Sequence, residues 1–380
     1  MFQRLRERLE TRLSEQVYLD ALKDAASGTA LRRTRPETGA LIMAIAILAV
    51  PVLTVLIGLG IIWITDFAIF AVFIGLLFIA FGLYLLPWPR RPFDGIEIGP
   101  AEAPEIFAAL DTVTDGLGAP PIDAIVVTDD FNAAIARHLG RTILMIGALL
   151  WQAASPAERH ALVAHEVAHL VNGDPRRRGL PGAALTVLDR WLGVLGVSKR
   201  VKQGYYATLN DYDRIGYSAI TEIMLMPIQL VVELLDLLLL RLVFIGAHRS
   251  EYLADSLAAA VAGRTPLQSL LDKAERAGVI AIALKRLDAA RLKDGRELLE
   301  RLSGAFDDPT IQTEPPARGP VTTAGTHPPT ALRKGFIDSL PGTPETAPAP
   351  PGLSEPDPAF EAAMARIGDR LLARLEEASH

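Results

Sequence analysis

The chain has 380 residues, half of them hydrophobic, with 38 basic and 44 acidic side chains and a formal charge of −6. That length exceeds a single ordinary core of about 100–200 residues, and the positive mean hydropathy excludes a wholly disordered chain. The acidic balance gives no reason to expect a nucleic-acid partner. The absence of cysteine excludes disulfides, thiolate catalysis and every cysteine-containing zinc site, so any metal must be held by His, Asp or Glu.

Residues 1–38 are too charged, and lack the early apolar run, to be read as a signal peptide. Met1 to about Ala26 reads as a cytoplasmic amphipathic helix, with Leu5, Leu9, Leu13 and Val17 at four-residue steps. Between Ala40 and Pro89 the only charged residue is Asp66. A bilayer core takes about 20 apolar helical residues, so 39–88 is predicted to form a two-helix transmembrane hairpin. Its spans are 40–63 and 67–86, with a turn at Ile64, Thr65 and Asp66; Pro51 falls inside the first, as membrane helices tolerate. Arg32, Arg33 and Arg35 precede the hairpin, Arg90 and Arg91 follow it, and the turn carries no Lys or Arg. Positive-inside bias therefore puts both ends, and everything after residue 90, on the cytoplasmic side of a cell membrane.

The stretch 92–303 reads as one domain. Phe93–Ile98 and Ile122–Thr128 have strand character, 101–117 is helical, and DDFNAAIARHLG is a turn-rich approach to a strand at Arg141–Gly147. Ser155-Pro156-Ala157-Glu158 then opens a helix with a Ser N-cap, Pro in the first position and Glu in the third; Asn172-Gly173-Asp174-Pro175 ends it. Residues 180–198 form an interfacial amphipathic stretch. In the apolar region 216–247, Ser218, Glu222, Gln229, Glu233 and Asp236 fall on one helical stripe. Such a helix either spans the bilayer, stripe turned to protein or water, or lies in a cytosolic core. Residues 248–302 are helical. The segment 304–358 holds 13 of the 27 prolines, and most of it is expected to be extended or disordered, before a terminal helix in 359–380.

His165-Glu166-Val167-Ala168-His169 is an HExxH pattern inside the capped helix. Four-residue spacing points both imidazoles the same way, where they can share one ion. Glu166 stands beside the open coordination position, able to take a proton from water. Zinc needs a third protein ligand. Glu251 and Asp255 share a face of a second helix, so Glu251 can reach the metal while Asp255 hydrogen-bonds the outer nitrogen of a ligand histidine.

These motifs resemble the HtpX-type membrane zinc metalloproteases, a family that includes the CAAX prenyl proteases. The resemblance rests on the paired apolar segments, on Asn132–Gly147, on HEVAHLVNGD at 165–174, on EYLAD at 251–255, and on Thr326-His327-Pro328-Pro329-Thr330 followed by Arg333. It implies a mainly helical α+β fold, with a zincin-like domain and a small β-sheet attached to the hairpin. It further implies one Zn2+ per chain on His165, His169 and Glu251, with Glu166 as catalytic base. Asp174 and Asp255 would stand behind the ligands, and His327 or Arg333 near the cleft, available to an oxyanion. Arg141, Thr142, Ile143, Leu144 and Met145 would form the edge strand onto which a substrate adds. The implied activity is peptide-bond hydrolysis at the inner membrane, on unfolded or unassembled membrane proteins. The alternatives are a prenyl-protein processing peptidase and an inactive membrane-tethered adaptor. Two departures stand out: residues 170–250 hold only one long apolar stretch and a second, weaker one at 180–198 where the family has further membrane helices, and prolines flank His327.

Overall fold

The computed structural model describes residues 14–23, 35–66, 68–88, 94–172, 174–195, 219–287, 292–308 and 327–379. Readings that fall elsewhere, such as the helix over 1–13 and the extended stretch 309–326, lie outside the described residues. In chain order the elements are α1 (Arg35–Ile64), α2 (Ile69–Leu85), β1 (Ile96–Ile98), α3 (Pro104–Leu117), β2 (Ala124–Thr128), β3 (Ala133–His138) and β4 (Arg141–Gly147). There follow α4 (Ala148–Ala153), α5 (Pro156–Val171), α6 (Asp174–Val194), α7 (Ala219–Ala262), α8 (Arg264–Glu275), α9 (Gly278–Arg286) and α10 (Gly295–Gly304). The described elements end with α11 (Thr330–Ser339), α12 (Pro351–Ser354) and α13 (Pro358–Ser379); residues 14–23 are also helical. The chain divides into two compact units that are not consecutive in sequence. One comprises 1–31, 91–175 and 247–380, the other 32–90 and 176–246.

In the second unit α1 and α2 form the expected hairpin, with Thr65 and Asp66 at the turn; Asp66 takes a left-handed φ of 47°. A Cβ on Gly58 would lie 2.5 Å from the Gly75 carbonyl oxygen, and one on Gly75 2.7 Å from that of Gly58. Only glycine lets the two backbones touch there, the packing small residues provide between apolar helices. Arg190 of α6 donates to the carbonyls of Tyr84 and Leu86 and so satisfies the end of α2. Ala44 of α1, Val187 and Leu188 of α6, and Leu239 of α7 share a buried core. The outer faces are apolar as well, with Ile42, Leu53 and Trp63 on α1, Phe70 and Phe73 on α2, and Met224 and Leu234 on α7 all exposed. Such continuous apolar surface is tolerated in lipid, not in water. At 30 residues, α1 is about 45 Å long, enough to cross a bilayer core of about 30 Å, and α2 is a shorter apolar helix of 17 residues. The chain is thus membrane-associated.

In the first unit a four-stranded sheet has the order β1-β2-β4-β3. β2 runs parallel to β4, while β1–β2 and β3–β4 are antiparallel. All five β2 residues are buried; α13 packs on β1 and β2, and α5 on β3. Three expectations need correction. Residues 133–138 are strand, not turn: alanines have low strand propensity, but pairing from Ala133↔Ile146 to His138↔Arg141 overrides it. The two-residue turn Leu139-Gly140 closes this hairpin with positive φ at both positions, 49° and 87°. β4 is not an edge strand, because it pairs with β2 on one side and β3 on the other, so Arg141–Met145 are interior to the sheet. The open edge beside α5 is β3. Finally, the Pro-rich segment is not wholly extended: α11 forms directly after Pro329, its N-cap residue, where the missing N–H of proline costs the helix nothing.

Candidate metal centre

α5 begins as its sequence dictates. Ser155 N donates to Glu158 Oε2 at 2.7 Å and Glu158 N to Ser155 Oγ at 3.4 Å, a reciprocal capping box. Glu158 also accepts from Lys273 Nζ at 2.7 Å and Ser269 Oγ at 2.6 Å, which ties the helix start to α8. Burial works against its charge, but these bonds outweigh that and hold the carboxyl below the usual range. Residues 160–170 are buried throughout, so α5 runs through the interior of its unit.

A helix this buried carries histidines only where something meets them, and here they meet each other and α7. His165 Nε2 and His169 Nε2 lie 3.3 Å apart. Glu251, fully buried on α7, places Oε2 3.5 Å from His165 Nε2 and Oε1 3.5 Å from His169 Nε2. Ligand-type atoms of His165, Glu166 and His169 all fall within 4.8 Å of one another. Asn172 Nδ2 donates to the Ser250 carbonyl at 3.5 Å and so fixes the end of α5 against the residue preceding Glu251.

Behind the ligand atoms, His165 Nδ1 lies 3.2 Å from Asp255 Oδ1, the outer-nitrogen contact that sequence spacing suggested. Arg333 of α11 donates to Asp255 twice, Nε to Oδ2 at 2.8 Å and Nη2 to Oδ1 at 2.6 Å. Its Nη1 sits 3.5 Å from Glu251 Oε2. This bidentate engagement makes Arg333 the holder of Asp255. The oxyanion role suggested for it does not suit a guanidinium so committed and so buried. His327 is half exposed and places Nδ1 2.6 Å from Glu251 Oε2. Asp174 opens α6; its side chain is outside the described residues.

The electrostatics follow from burial and pairing. Burial disfavours charge on His165, yet bonds to Asp255 and Glu251 prevail and raise it to about 9. Burial likewise opposes the Glu251 carboxylate, but His165 and His327 hold it well below the usual range. Asp255 is shifted the same way by Arg333. Glu166, Glu251 and Asp255 bring three buried carboxylates together around the two imidazoles. A divalent cation suits a site of that sign, and it would occupy the place of the proton on His165. The spacing fits too. Ligands about 2.0–2.1 Å from a tetrahedral centre stand about 3.3–3.4 Å from one another, close to the 3.3, 3.5 and 3.5 Å between His165, His169 and Glu251.

Two imidazoles and a glutamate on one buried helix, faced by a carboxylate from a second helix beside a small sheet, define a metalloendopeptidase of the HExxH type. Residues 100–340 match the model of Peptidase family M48, and the chain belongs to that family. Comparison with curated proteins and with solved structures returns no match.

Proposed function

We propose that this chain is a zinc endopeptidase anchored by several passes in a cell membrane, acting from the cytoplasmic side on unfolded or unassembled membrane proteins. The observation that carries the reading is the set of three ligand atoms, two imidazole nitrogens and a Glu251 oxygen, at the spacing of tetrahedral corners. In it His165, His169 and Glu251 hold one Zn2+, which when bound supplies a Lewis acid for the scissile carbonyl and an acidified water. Glu166 takes the proton of the attacking water and passes it to the leaving amine. Asp255 fixes the ring of His165 and is itself fixed by Arg333. His327, held beside Glu251 through Nδ1, presents the other side of its ring to the oxyanion. An extended polypeptide adds to β3, the open edge, so that backbone atoms supply most of the affinity.

The membrane part rests on exposed apolar side chains along α1, α2 and the first part of α7, on Trp63 and Trp88 at the two levels of the hairpin, and on arginines at its open end. The catalytic reading is tested by Glu166→Gln. The variant should keep one zinc per chain by elemental analysis and lose about 10²–10⁴-fold in casein cleavage, the usual worth of a general base. Turnover near wild type would remove Glu166 from its role, and wild-type protein free of zinc would remove the metal.

A further inference from the structure

The helical stretch 14–23 precedes the membrane hairpin and lies outside the family match, yet it belongs to the same compact unit as the metal centre. Ser14, Val17 and Ala21 are buried, the i, i+3, i+7 face of a docked helix. Tyr18 shares that side. Its ring centroid stands 5.9 Å from that of Tyr252, at 55°. Tyr252 is the neighbour of Glu251, and it packs in turn on Phe336, centroids 5.1 Å apart. Phe336 is three residues beyond Arg333. The Tyr18 hydroxyl also lies 3.2 Å from the point a Cβ on Gly335 would occupy, so a larger residue there would have to push Tyr18 back by a few tenths of an ångström.

Three segments remote in sequence thus meet in one aromatic cluster, and two of them carry the metal machinery. Tyr252 is almost wholly buried, and its hydroxyl makes no hydrogen bond among the described residues. Packing on Tyr18 and Phe336 is therefore what sets its ring. We infer that Tyr18 is a positioning residue: by wedging Tyr252 and α11 together it keeps Glu251 and the Arg333–Asp255 pair in register with His165. The N-terminal stretch is then a working part of the peptidase. This rests on Glu251 being a metal ligand.

The test uses the full chain in detergent micelles, comparing Tyr18→Ala, Tyr18→Phe and Gly335→Ala. Zinc affinity is read by competition with a chromophoric chelator, alongside kcat, KM and thermal unfolding of the metal-free protein. Tyr18→Ala should raise the zinc Kd about tenfold, the low end of what removing a group behind a metal ligand costs, and lower kcat with KM within twofold. Tyr18→Phe should restore both, since the ring and not the hydroxyl makes the contact. Gly335→Ala deletes nothing and should weaken zinc binding in the wild-type background but not in the Tyr18→Phe background. Lowered thermal stability with zinc affinity and kcat unchanged in Tyr18→Ala would overturn the inference, leaving Tyr18 a packing residue only. Zinc retained at full affinity by Glu251→Ala would overturn the ligand assignment itself, and this inference with it.

Discussion

Arg333 and Asp255 are separated by 78 residues and both are buried, so each would be costly alone. Removing one partner of such a pair typically costs about 3–5 kcal/mol, because the other charge is left unpaired in low dielectric. That cost is what makes the pair a rigid support for His165. Glu158 is the comparable group at the other end of α5, far enough from the metal to be probed by pH. Its folded pKa lies below the unfolded value of about 4.3. Its contribution is therefore fully present above that value and is lost as pH falls through the folded pKa. Glu158→Gln should cost about 1–3 kcal/mol at pH 7, the worth of hydrogen bonds to a charged group. The gap to wild type should narrow as the pH falls through the acid range in which the carboxyl takes up its proton. A gap in thermal midpoint that stays constant from pH 7 to 3.5 would mean the charge of Glu158 contributes nothing. At this scale the sequence was most legible where chemistry is local. HExxH and the capping box declare themselves within five residues. The pairing of Arg333 with Asp255 does not, since nothing around a lone arginine after a Pro-rich stretch reveals a carboxylate so far along the chain.

Helices were readable by period and caps, and α5, α3 and the hairpin helices stand close to where their patterns place them. The sheet was harder. β3 is alanine-rich and flanked by turn formers, so its strand state comes from β4 alongside it, a pairing no local pattern encodes. That pairing is also why β4 is not the open edge that the family resemblance implied. The consequence for function is direct. If β3 receives the substrate as an added strand, alternate amides of the peptide bond to it. N-methylation of a model peptide at successive positions on one side of the scissile bond should then raise KM roughly tenfold at every second position, about the worth of one hydrogen bond. A flat response along the peptide would exclude strand addition. A response set by side chains would point to pockets instead.

Across the whole molecule, the two compact units interleave: 176–246 is inserted between halves of the other unit, and α7 contributes to both, its first part to one and Glu251 and Asp255 to the other. A left-to-right reading of composition divides a chain into successive blocks, so it had no means of finding this. It did find which surfaces are apolar and where arginines cluster, and the sidedness proposed above rests on those. With both open ends of the hairpin on the cytoplasmic side, the turn at Thr65 must face the opposite side, and the β3–β4 turn at Leu139 the cytoplasm. The absence of cysteine makes this simple to check, because any introduced thiol is the only one. Thr65 and Leu139 are both exposed, Leu139 to 90%. In intact cells a membrane-impermeant maleimide should label Thr65→Cys and spare Leu139→Cys; permeabilisation should make both react. Labelling of Leu139→Cys in intact cells would place the catalytic unit outside. If Thr65→Cys reacted only after permeabilisation, α1 and α2 would not span, and apolar surface on that scale would need another protein to cover it.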